Sequence, residues 1–144
     1  MPGLAPELPL RRDDVDGYGL LKTFSALAQQ NLKMVILTNP GERIMDPEFG
    51  VGILRYLFEQ SLPTTYSQIS SRIRSQVSAY LPYITILNID FIKPTSLENN
   101  ENLLSVNIEY LVTPLRLKNT LDITLDTELA EVILPDPFGA PATF

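Results

Sequence analysis

Four carboxylates, Glu42, Asp46, Glu48 and Glu59, fall within the stretch from Asn39 to Glu59. Two acids held roughly 5 to 9 Å apart can cleave a glycosidic bond, one protonating the leaving oxygen and the other acting as nucleophile or base. The same stretch carries Arg43 and Arg55. A guanidinium beside a carboxylate lowers its pKa, the wrong direction for a proton donor, so ion pairing, as between Glu42 and Arg43, or contact with a partner is the better use of these acids. The chain has no histidine and no cysteine, which removes imidazole catalysis, thiol nucleophiles, disulfides and thiolate zinc sites. Gly50-Val51-Gly52-Ile53-Leu54-Arg55 opens like a dinucleotide fingerprint, but Arg55 stands where the third glycine belongs and no clear strand precedes it. Asp13-Asp14-Val15-Asp16-Gly17 invites a calcium loop. With Gly17 at its sixth position, Arg12 and Thr23 fall on the first and twelfth, where acids are needed. No metal and no cofactor is expected.

The elements that would position these residues are legible from period and punctuation. Phe24, Leu27, Ala28, Leu32, Val35 and Ile36 follow a helical period with Thr23 and Ser25 as caps, which predicts a helix over 24–37. Pro40 and Gly41 then supply the fixed negative and free positive φ of a tight turn. A short helix is expected from Gly52 to Glu59. A longer one follows, with a capping box at Thr65 and Gln68 and an apolar stripe of Tyr66, Ile69, Ile73, Val77 and Tyr80. Its other face, including Arg72, Arg74 and Gln76, reads as solvated surface. Phe49 and Phe58 read as core. Beyond Pro82 the period becomes two, in segments around 84–91, 104–112 and 121–126. Their connections are too short for crossover helices, so they form an antiparallel meander.

The expected class is α+β, with amino-terminal helices packed on one face of a three- or four-stranded antiparallel meander. Residues 1–18 read as an extended amino-terminal arm, 19–128 as the domain and 129–144 as an extended carboxy-terminal arm. Six of the twelve prolines lie in the first nine and last ten residues, so both arms are expected to order only against a partner. The net charge of -6, with no basic patch, argues against nucleic acid or anionic lipid as a partner. Neither a signal peptide nor a membrane span is legible, so the expectation is a soluble protein made in a cytoplasm.

Taken together, Leu37-Thr38-Asn39-Pro40-Gly41-Glu42-Arg43, then Asp46-Pro47-Glu48-Phe49-Gly50, Gly52-Ile53 and Leu57-Phe58-Glu59 resemble the small baseplate wedge proteins of contractile-tailed phages. That family is also similar to a baseplate subunit of type VI secretion systems. The resemblance spans roughly 24–126 and implies a non-catalytic sheath initiator of the virion tail baseplate. One copy would sit in each of six wedges, bound to the helical core of the wedge and offering its sheet to arms of the tail sheath protein. Contact with partners would fall on Glu42, Arg43, Pro47 and Phe49. The family carries a Glu-Pro-Arg triplet after the long helix, where this chain has Leu81-Pro82-Tyr83. An apolar and aromatic contact is therefore expected at Leu81, Pro82 and Tyr83. The edge accepting a sheath strand is sought on Leu103, Ser105, Asn107 and Glu109 or on Leu121, Ile123 and Leu125. Family members often bear a lysozyme-like label that no residue here supports. Two other readings remain: a carboxylate-dependent cell-wall hydrolase, and a baseplate subunit of a contractile injection system that is not a phage.

Overall fold

The computed structural model describes residues 3–59, 62–92, 103–126 and 132–133. The first segment is not a free arm. Strands β1 (Ala5–Pro6) and β4 (Leu20–Leu21) pair antiparallel, enclosing a second ladder of β2 (Arg12–Asp13) and β3 (Gly17–Tyr18). The first helix holds this segment: Gln30 donates to the Pro6 carbonyl at 3.1 Å and accepts from the Leu8 amide at 3.0 Å. The arm expected to need a partner thus finds its contacts within the chain.

Helix α1 (Phe24–Leu37) has the predicted bounds, with the Thr23 side chain accepting from the Ala26 amide at its start. A 3-10 helix spans Ile53–Phe58 and α2 spans Pro63–Tyr80. The start of α2 differs from the Thr65 capping box: Leu62 is the cap, without a side-chain bond, and Pro63 occupies the first turn. Proline suits that position because its fixed φ is helical and its missing N–H has no intrahelical acceptor there.

Strands β5 (Ile84–Ile92), β6 (Leu103–Val112), β7 (Leu117–Asp126) and β8 (Val132–Ile133) form one antiparallel sheet in that order. This is the α+β meander expected, with a short fourth strand. Of the predicted carboxy-terminal arm, residues 132–133 pair with β7; 129–131 and 134–144 lie outside the described residues.

Both helices cover one face of the sheet. Leu32, Val35 and Ile36 of α1 and Ile69, Ile73 and Val77 of α2 share a single core with Val106, Ile108, Tyr110, Leu121, Ile123 and Leu125. The opposite face is polar, as period-two strands dictate. There Asn107 donates to Asp122, Ser105 bonds Thr124, and Lys118 pairs with Glu109 at 2.9 Å. Burial pushes the Tyr110 hydroxyl up. Phe58 departs from expectation, being 81% exposed: the 3-10 helix turns Ile53 into the core and leaves Phe58 outside.

Candidate partner-binding site

The stretch from Asn39 to Gly52 is shaped by its own backbone and clamped by α2. Glu42 donates its amide to the Asn39 carbonyl at 3.1 Å, and Gly41 takes φ +93°, the left-handed geometry a side chain resists. The Gly41 amide closes the loop onto the Pro47 carbonyl at 2.8 Å. Val51 donates to the Val35 carbonyl at 2.9 Å, fixing the loop's exit to α1. From α2, Arg72 donates to the Gly50 carbonyl at 3.2 Å. Gln76 accepts from the Gly50 amide at 2.9 Å and donates to the Glu48 carbonyl at 3.1 Å. Tyr80 donates to Asp46 at 2.7 Å.

Residues 72, 76 and 80 stand four apart on one helical face. Arg72 and Gln76, read from sequence as solvated, therefore organise the loop. Their spacing beside the apolar stripe was the available signal, but its target lies over twenty residues away. Gln76→Leu keeps the bulk and removes both bonds. It is expected to cost about 2–3 kcal/mol by urea unfolding, since a main-chain donor and acceptor lose their partner together.

Two of the four acids, Glu42 and Asp46, are held without arginine. Glu42 accepts from the Asn39 amide at 3.0 Å and from its side-chain nitrogen at 2.8 Å. The backbone bond first, and the side-chain bond second, hold its carboxyl below the ordinary range. These bonds favour the folded chain above the ordinary carboxylate pKa and are lost as pH falls through the lowered value. A carboxylate so held is a poor proton donor near neutrality. The expected Glu42–Arg43 pair is not formed, because Asn39 occupies the carboxylate; the Arg43 guanidinium instead lies 4.3 Å from the Phe49 ring centre. Phe49 meets Tyr80 edge-on, with centroids 4.8 Å apart. The bond to Asp46 raises the Tyr80 pKa. Among the described residues no acidic cluster could hold a metal ion.

Most of the first patch expected from sequence and one residue of the second, Leu81, share a cleft of about 530 Å³ that Pro47, Pro82 and Tyr83 do not line. Glu42, Arg43 and Phe49 line it from the turn, Tyr80 and Leu81 from the end of α2, and Asn31 and Met34 from α1. Asn31 also donates to the Tyr83 hydroxyl at 2.8 Å. Leu81 itself is buried in the core at 7% exposure, so of Leu81, Pro82 and Tyr83 only Pro82 is fully presented and Tyr83 is half-buried. Pro47 is exposed on the loop, its carbonyl committed to Gly41.

The sheet edges also differ from expectation. Strand β6 is central, paired with β5 along one side and β7 along the other. Ser105, Asn107 and Glu109 thus have no free edge, because the second strand of a meander is consumed by its neighbours, while Leu103 pairs with Asp126 of β7. Leu121, Ile123 and Leu125 turn their side chains into the core. On their strand β8 covers only Thr124 and Leu125, leaving the outer main chain of 117–123 open among the described residues. The far edge, β5, is guarded. Arg74 of α2 donates to the Ile86 carbonyl at 3.3 Å, and the register breaks between Ile86 and Asn88. A side chain bonded to the edge and a bulge both deter strand addition there.

A sequence profile of the family described as baseplate wedge protein gp25 matches residues 25–114, spanning α1, the clamped turn, α2 and the first two long strands. This chain belongs to the baseplate wedge protein gp25 family. The family is one of structural baseplate proteins. Solved structures agree in fold. A Geobacter sulfurreducens protein described as a tail lysozyme shares 23% identity, over 82% of this chain and 97% of that one, with TM-score 0.61. A chain of the anti-feeding prophage baseplate shares 22%, over 78% and 92%, with TM-score 0.65. One from the postcontracted baseplate of pyocin R2 shares 14%, over 72% and 97%, with TM-score 0.52. No curated protein sequence matches.

Proposed function

We propose that this gp25-family chain is the sheath initiator of a contractile tail. It links the helical core of the baseplate wedge to the first sheath ring and catalyses no reaction. The cleft between the turn and α2 meets the wedge core, one copy serves each of six wedges, and assembly takes place in the host cytoplasm. The main chain of β7 from Leu117 to Ile123, which has no outer partner among the described residues, carries this reading. Unpaired main-chain groups on an ordered edge accept a strand from another chain, and a guarded β5 leaves β7 as the acceptor.

Proline at the edge tests it. Successive residues of a strand direct their N–H groups to opposite sides, so Asn119→Pro and Thr120→Pro are made in parallel. The variant that keeps its native melting temperature is the one whose N–H faces outward. That variant is expected to enter complete baseplates that polymerise no sheath. Normal sheath on those baseplates would overturn strand acceptance.

The alternative is a baseplate subunit of a contractile injection system that is not a phage, and chains of this fold occur in the anti-feeding prophage and pyocin R2 baseplates. Capsid genes beside the sheath and tube genes would distinguish a phage. The cell-wall hydrolase reading has no proton donor in its favour at Glu42. Muralytic activity of the purified chain, abolished by Glu42→Gln, would restore it.

A further inference from the structure

The most exposed large apolar side chains among the described residues are adjacent: Ile44 is 92% exposed and Met45 93%. They occupy the two central positions of a turn closed by the Asp46 amide on the Arg43 carbonyl at 3.2 Å. Turn centres are ordinarily given to glycine, proline, asparagine or aspartate. An isolated exposed apolar residue needs no explanation, but two together on a projecting turn expose a contiguous apolar tip that a monomer gains nothing by keeping.

The tip is also held in place. Gly41 bonds Pro47 across its base, Glu42 is fixed by Asn39, and Asp46 is fixed by Tyr80 on α2. Binding through such a tip costs little ordering entropy. Its surroundings are acidic. Glu42, Asp46 and Glu48 flank it against one guanidinium, that of Arg43, which lies over Phe49. Immediately beside this convex tip lies the cleft lined by Glu42, Arg43, Phe49 and Tyr80. A concave site next to a convex one matches two packed helices, whose axes lie roughly 8–10 Å apart: one enters the cleft while the tip fills the groove between them.

We infer that Ile44 and Met45 anchor this chain in an apolar groove between two helices of its wedge partner, a groove bordered by lysine or arginine. The inference rests on the proposed role of the adjacent cleft in meeting the wedge core, and the test separates the two. p-Benzoylphenylalanine is placed at Met45 and, separately, at Met34 in the cleft, and crosslinks are formed in assembled baseplates and identified by mass spectrometry. Both positions are expected to trap the same wedge subunit. Capture from Met34 but not from Met45 overturns the anchor and leaves the cleft reading standing. Capture of sheath or tube protein from Met45 also overturns the anchor. Capture from neither overturns both.

Affinity supplies a second readout, measured against the wedge complex reconstituted from the same tail. The double variant Ile44→Ser, Met45→Ser alters only solvated side chains, so its melting temperature is expected to match the parent. Its affinity is expected to fall about 30-fold or more, as for a central anchor pair. Glu48→Lys is expected to weaken binding further at low salt and to lose that effect at high salt. Unchanged affinity in the serine variant would overturn the anchor.

Discussion

Gly50→Ala is expected to destabilise the protein by about 3–5 kcal/mol, lowering its melting temperature by roughly 10–15 °C for a domain of this size. Gly50 has φ +106°, and a Cβ there would press into the main-chain carbonyl of Thr38, which cannot rotate away as a side-chain end can. Backbone strain alone is worth about 1–3 kcal/mol. The rest comes from displacing a segment whose amide and carbonyl are both bonded by α2. Gly41 provides the control: its φ is +93° but nothing lies within 4 Å of an added Cβ. Gly41→Ala should therefore cost only the strain. Equal losses at the two positions would mean that the packing of Gly50 against Thr38 contributes nothing. Hydrogen exchange should locate the Gly50→Ala effect in the amides of Phe49, Gly50 and Val51.

Ile73→Ala is expected to cost about 2–5 kcal/mol, spread over the whole domain. Ile73 is fully buried on α2 in the core shared with α1 and the sheet. The lost contacts leave a cavity that close-packed neighbours on three elements fill only in part. The urea midpoint should fall with the slope unchanged, the mark of reduced stability in one cooperative unit. A loss below about 1 kcal/mol would show that helices and sheet do not unfold together. The contrast with Gln76→Leu is useful, since position 76 lies one turn further along the same helix and acts on the loop rather than the core.

Much of this was legible in the sequence because local rules and tertiary structure agree there. The period of Phe24 to Ile36 and the cap at Thr23 fixed α1, and Pro40-Gly41 fixed the reversal. Strict alternation gave the inward faces of β6 and β7 correctly. Strand β5 was harder. Its inward residues are Ile84 and Ile86, then Ile89 and Phe91. The irregularity between Ile86 and Asn88 shifts the alternation by one, so Leu87 points outward although its type argues for burial. No residue type announces such a bulge.

The site was half legible for a similar reason. Its glycines, prolines and charges stood out locally, but the clamp from Arg72, Gln76 and Tyr80 is a long-range arrangement. Composition misled at Leu81, where an apolar residue near a predicted contact serves the core. It misled again at Phe58, which a 3-10 turn rotates outward. Edge assignment needed topology: β6 and β7 look alike in sequence, yet of the two only β7 keeps an open side among the described residues. The amino-terminal ladders are two residues long each, too short for any periodic signal, and are stabilised by Gln30 from outside the segment.

Sheath initiation through β7 is tested most directly by cryo-electron microscopy of the assembled tail at a resolution that traces main chain. The expected result is a strand from a sheath subunit hydrogen-bonded along Leu117 to Ile123, extending the β5-β6-β7 sheet. A first sheath ring in place with no sheath strand on that edge would contradict it.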